Sequence, residues 1–167
     1  LHTSMKIFKN SQSLFLKNLK YIKDTKFIFY SHLGLGDQII LSGAVNFLSK
    51  KYNKIYVVSF KKFQNSMDLL YSNNDKVKIL YLPVEFDNLT QDNSKIVDFV
   101  VSFSIQKNLK ILKVGYEYQI KRMRFYESFY KQIGLNYKIS YDYFSLANNQ
   151  QQVNKLTDYL KDLYSID

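Results

Sequence analysis

Residues 27–48 read FIFYSHLGLGDQIILSGAVNFL, and this stretch decides the fold. To its left, Lys26–Ser31 (KFIFYS) is a continuous apolar run rich in aromatic residues, the composition of a strand buried on both faces. To its right, Ile40, Leu41, Ala44, Val45, Phe47 and Leu48 recur at helical spacing, predicting a helix from about Asp37 to Lys50. Between them lie Gly34, Leu35, Gly36 and Asp37. The order is strand, glycine turn, helix N-terminus. In α/β sheets, ligands bind outside the carboxyl end of a strand, at such a turn.

The same rhythm repeats outward. Lys54–Phe60 (KIYVVSF) reads as a second strand, 62–72 as a helix, and Lys76–Leu82 (KVKILYL) as a third strand closed by Pro83. Residues 96–105 (IVDFVVSFSI) fit a strand by β-branched content and a helix by the spacing of Ile96, Phe99, Val100 and Phe103. A parallel pair needs a crossover of a dozen or more residues. Because Lys110–Tyr116 (KILKVGY) reads as a fourth strand, the helix is the consistent choice, capped near Asp92–Ser94. A helix over 119–133 ends at Gly134, and another is expected over Gln150–Tyr164. The expected architecture is α/β: a Rossmann-like, three-layer domain over 26–167, with a mostly parallel sheet of at least four strands. Residues 1–25 form a separate segment with a short basic amphipathic helix from Ser11 or Ser13 to Lys23. Such a helix suits either a peripheral membrane contact or a solvated domain edge.

Composition narrows the function classes. The 167 residues carry a net charge of +10 but no cysteine, which removes disulfides, thiolate metal sites and cysteine nucleophiles. Arg122 and Arg124 are the only arginines among 24 basic residues. With abundant lysine, asparagine, tyrosine and isoleucine, this is the bias of an AT-rich genome, so the charge is not taken as a nucleic-acid footprint. Two histidines, His2 and His32, exclude a multi-histidine metal site, and no metal is expected. No apolar run reaches the roughly 20 residues that span a bilayer. A cytoplasmic setting is expected.

The glycine turn fails the familiar phosphate-binding patterns. A dinucleotide fingerprint needs a third glycine or alanine where Ile39 stands, and an acid after the second strand, where the chain reads Val58-Ser59-Phe60-Lys61. The P-loop lysine and hydroxyl are absent, as is the G-x-S-x-G elbow. What remains is Asp37, expected as the helix N-cap, with a carboxylate able to take a proton from an incoming hydroxyl. His32 lies beside it as a second polar contact, and Gly34 and Gly36 let a ligand approach the backbone. Lys61, Lys62, Arg122 and Arg124 are the candidate contacts to an anionic group.

These residues carry a family resemblance. GLGDQIILSGAVNFLSKKY, the strand that follows it, and KFQNSMDLLYSNNDKVKILYLP together resemble the N-terminal half of GT-B glycosyltransferases, most closely the heptosyltransferase-like group. FYESFYKQIGLNYKISYDYF is similar to a segment near the end of that half, so the likeness covers roughly residues 26–146. The resemblance implies an inverting, metal-independent transferase, with Asp37 as the base that deprotonates the acceptor. Read from the residues themselves, the expected acceptor site comprises His32, Gly34, Leu35, Gly36, Gln38, Lys61, Arg122 and Arg124. Gln38 and the first helical turn depart from the family's Thr-Thr-Pro-like pattern, which leaves the acceptor open. The donor nucleotide sugar is expected on a second, C-terminal domain outside this chain, so that the chain alone is inactive. The alternative is a non-catalytic Rossmann-like module that binds a ligand or a protein.

Overall fold

Strands of four to six residues with apolar side chains on both faces need cover above and below. The computed structural model, which describes residues 26–115 and 123–146, supplies it with helices on each side. The strands are β1 (Lys26–Tyr30), β2 (Lys54–Ser59), β3 (Val77–Tyr81) and β4 (Lys110–Lys113), in the spatial order β3-β2-β1-β4 and all parallel. Register follows the pleat: Phe27 lies opposite Ile55 and Lys110, and Phe29 opposite Val57 and Leu112. The helices are α1 (Leu35–Ser49), α2 (Gln64–Tyr71), α3 (Ser94–Gln106), α4 (Phe125–Gln132) and α5 (Ile139–Asp142). The expected Rossmann-like three-layer α/β fold is therefore observed.

Alternation along the strands divides the interior into two cores. Phe27, Phe29, Ile55, Val57, Val77 and Leu112 point to one face, where they meet Leu41, Val45 and Leu48 of α1, Met67 of α2, and Phe129 of α4. Ile28, Tyr30, Val58, Leu80 and Ile111 point to the other and meet Ile96 and Val100 of α3. Each such side chain contributes about 1.5–3 kcal/mol on burial. Residues 96–105 are thus helical, as the crossover argument required. Asn93 caps α3, its side chain accepting from the Lys95 N–H at 3.0 Å. The helix closes on Asn108 at φ 50°, where Leu109 N–H bonds the Ser104 carbonyl and Asn108 N–H the Ile105 carbonyl, the 6→1 and 5→2 pair of a Schellman motif. The same pair closes α4 on Gly134 at φ 70°.

Three boundaries differ from the sequence reading. α1 begins at Leu35, with Gly34 as its N-cap, because the Gly34 carbonyl already accepts from the Gln38 N–H at 3.1 Å. Asp37 is therefore the third helical residue and not the cap. A 3₁₀ turn at Lys61–Phe63 precedes α2, and α4 begins at Phe125, with residues 123 and 124 outside the helix. The helices expected over 11–23 and 150–164, and residues 119–122 of the 119–133 helix, lie outside the described residues. Among the described residues, no helix is long and apolar enough to cross a membrane.

α1 is held against α4 and α5 by two close contacts. The Tyr130 hydroxyl donates to the Ile40 carbonyl (2.7 Å) and accepts from the Ala44 N–H (3.2 Å), bridging one rung of the α1 ladder. At Gly43 the α5 backbone comes so near that an added Cβ would stand 2.7 Å from the Ile139 carbonyl oxygen and 2.8 Å from Ser140 Cα. Backbone cannot swing aside as a side chain can, so Gly43→Ala is expected to cost about 1–3 kcal/mol in urea unfolding. A second expectation concerns alkali. Burial, chiefly, pushes the hydroxyls of Tyr71, Tyr81 and Tyr130 above their ordinary value of 10.0, and pushes Tyr137 up to about 12. A raised folded value means the unfolded chain releases these protons first. This contribution to stability is complete below the unfolded value of 10.0 and is lost as pH rises through the folded values. Unfolding free energy should fall steeply between pH 10.0 and about 12, with tyrosinate absorbance appearing together with unfolding.

Candidate functional site

The order β3-β2-β1-β4 fixes where a site belongs. From β1 the chain steps outward to β2 and β3, then crosses back to place β4 on the far side of β1. The loops leaving β1 and β4 therefore part in opposite directions, opening the crevice at which α/β sheets bind ligands. The glycine turn leaves β1 at that point, and Val114 and Gly115 leave β4 beside it.

Ser31 and Leu33 are buried, while His32 and Asp37 remain partly open, with side chains 19% and 27% exposed. His32 Nδ1 lies 3.8 Å from Asp37 Oδ2, an ion-pair distance. The carboxylate folds back over the turn, since a Cβ built on Gly34 would stand 3.1 Å from the same Oδ2. Gly34 and Gly36 are exposed, and space for a side chain at Gly36 is open. As the third residue of α1, Asp37 sets its negative charge against the helix's positive end.

The other predicted residues separate. Gln38 is turned inward, 1% exposed, and its amide donates to the carbonyls of His32 (3.2 Å) and Val58 (3.0 Å). It ties the turn to β2 and shapes the site from beneath. Leu35 packs partly into the core. Lys61 lies over the Tyr81 ring at 5.1 Å, and Lys62 is clamped to Asp87, so both belong to the β2–β3 side of the edge, away from β4. Arg124 is exposed at the start of α4, where a hydrogen bond from its Nη1 to the Tyr126 hydroxyl (3.3 Å) helps raise its pKa. Arg122 lies outside the described residues.

Sequence reasoning missed the wall behind His32. Its ring meets Phe129 at 5.3 Å and Phe125 at 5.5 Å between centroids, and its other edge lies on Gly115. Gly115 holds φ 92°, and a Cβ there would stand 3.0 Å from His32 Cδ2 and 3.1 Å from Phe129 Cε1. Gln132 fixes this loop by accepting from the Gly115 N–H at 2.7 Å. The available signal was a glycine ending an apolar strand, as after β1.

Among the described residues, hollows also lie elsewhere. A polar one of about 300 Å³ sits at the far end of α1, where the Asn74 amide is already spent on Asn46 Oδ1 (2.8 Å) and Ser49 Oγ (2.9 Å). An apolar groove of about 310 Å³ runs beside Ile39, Ile40 and Tyr141. Neither includes His32 or Asp37; the chemistry favours the switch point, where the titratable pair and open backbone coincide. No protein-family model, curated protein or solved structure matches this chain.

Gln38→Leu is expected to leave the His32 and Val58 carbonyls without their side-chain donor. The predicted cost is about 1–3 kcal/mol in urea unfolding, with altered amide signals at residues 31–37 in NMR spectra.

Proposed function

We propose that this chain is the acceptor-binding half of an inverting, metal-independent glycosyltransferase of GT-B type. Asp37 acts as the general base. In the proposed step, the acceptor hydroxyl gives its proton to the Asp37 carboxylate while its oxygen bonds to the anomeric carbon of a nucleotide sugar. The bond from that carbon to the nucleotide's phosphate oxygen breaks, and the electron pair leaves with the nucleotide. The nucleotide sugar sits on a second domain outside this chain.

One observation carries the reading: a carboxylate on the third residue of α1, partly exposed at the switch point and paired with His32. A helix N-terminus ordinarily invites phosphate. Here the chain's own carboxylate occupies that field and repels a second anion. This favours a neutral hydroxyl acceptor over a nucleotide cradle, and therefore the transferase half over a nucleotide-binding module. The open backbone at Gly36 gives the acceptor room. Family resemblance in the Gly34–Asp37 turn supports the same role.

The test uses the enzyme with its donor-binding domain. Asp37→Asn should lower transfer by roughly 10²–10⁴-fold while nucleotide-sugar binding is kept. Transfer at the wild-type rate would remove Asp37 from the mechanism. Thermal stabilisation of this chain by nucleotide alone would favour the binding-module reading.

A further inference from the structure

The groove beside α5 is an apolar face that the described residues leave uncovered. It holds about 310 Å³ and is lined by Ile39 and Ile40 of α1 and by Tyr137, Ser140, Tyr141 and Phe144. Ile39, Tyr141 and Phe144 are exposed, Tyr141 by 70%. Single exposed apolar side chains are ordinary, whereas these share one groove. Its wall is fixed in place. Tyr137 packs edge-on against Tyr130 and against Tyr141, each at 5.4 Å, and Tyr130 is bonded into α1. A preformed groove takes an occupant without the cost of ordering its own walls.

The chain that follows has the chemistry to fill it. The described residues end at Leu146, itself exposed and two residues past Phe144. In the sequence beyond, Val153, Leu156, Leu160 and Leu163 recur at alternate steps of three and four, with Asn154, Lys155, Asp158, Lys161 and Asp162 between them. That is the spacing of a helix with one narrow apolar seam. So short a helix is marginal in water until its seam is packed. The intervening stretch 147–152 reaches about 20 Å when extended, enough to turn back from Leu146 onto the groove. Phe144 also borders the polar hollow, but Asn46, Lys50, Asn73 and Asp142 line that one and offer an apolar seam no match. A tethered segment meets the groove at an effective concentration in the mM range, which a separate chain does not reach. We propose that the stretch Val153–Leu163 turns back as an amphipathic helix and seats Val153, Leu156, Leu160 and Leu163 in the groove formed by Ile39, Ile40, Tyr137, Tyr141 and Phe144. Seated there, it lies along the first turns of α1, the helix that carries Asp37. The proposal does not rest on the transferase reading.

The test is disulfide trapping in the full 167-residue chain, whose lack of cysteine leaves introduced pairs unopposed. Tyr141→Cys is combined in turn with Leu156→Cys, Leu160→Cys and, from the opposite side of the predicted helix, Asp158→Cys. A disulfide needs its two Cα atoms within about 7 Å, so at least one seam pair should close within the monomer about 10-fold faster than the Asp158→Cys pair. Equal rates for all three pairs, or no bridge in any, overturn the proposal. Bridges that link two molecules instead of closing one assign the groove to a second copy and overturn it as well. A second measurement needs no change in the groove. Leu156→Asp with Leu160→Asp should shift the side-chain methyl signals of Ile39 and Ile40 in carbon–proton spectra, while those of Ile28 and Ile111, on the far side of the sheet, stay in place. Methyl signals of Ile39 and Ile40 that do not move count against the seating in the same way.

Discussion

Parallel strands cannot be joined by tight turns. Each pair needs a crossover long enough to hold a helix, and the helix must cover one face of the sheet. The other features of this domain follow from that constraint. β1 lies between β2 and β4, with Phe27–Tyr30 fully buried, because helices stand on both sides of it. α1 and α2 follow β1 and β2 onto one face, and α3 covers the other before the chain enters β4. The change of side between α2 and α3 is what reverses the strand order, so the topology that buries β1 also makes its carboxyl end the mouth of a crevice.

A site at that mouth depends on where α1 starts and how firmly it is held. Tyr130 supplies one anchor by placing its hydroxyl into the α1 ladder at Ile40 and Ala44, and Gly43 supplies another by removing the side chain that would keep α5 away. Both anchors lie within two turns of Asp37. Gln38 adds a third from the other side through the carbonyls of His32 and Val58. Held in this way, the first turn of α1 is a fixed platform, and Asp37 rides on it without itself bonding the core.

The parts legible from sequence are those governed by local rules. KFIFYS and KIYVVSF are strands because their apolar runs are continuous. Gly134 ends α4 because a left-handed residue is needed there. Residues 96–105 fall to the helix once crossover length is counted. Asp37 shows where local rules mislead: as an acid next to a glycine turn it reads as an N-cap, yet the Gly34 carbonyl takes the first helical bond and moves the start back to Leu35. The enclosure of His32 was not legible at all. It joins residues 32, 115, 125 and 129, separated by up to most of the described chain, and it depends on how α4 returns over the β4 loop. No periodicity encodes that approach.

The N-cap correction strengthens the chemical argument rather than weakening it. A capping carboxylate spends its oxygens on the N–H groups of the first turn. At the third helical residue, Asp37 makes no side-chain cap bond at Gly34, and it still lies in the favourable field of the helix end. His32 stands within ion-pair distance of the same carboxylate. Three elements converge on this residue: α1 carries it, α4 supplies the aromatic wall behind His32, and the β4 loop sets Gly115 against that ring. Moving the start of α1 by a single turn would carry Asp37 away from His32, so the pairing depends on the helix starting at Leu35.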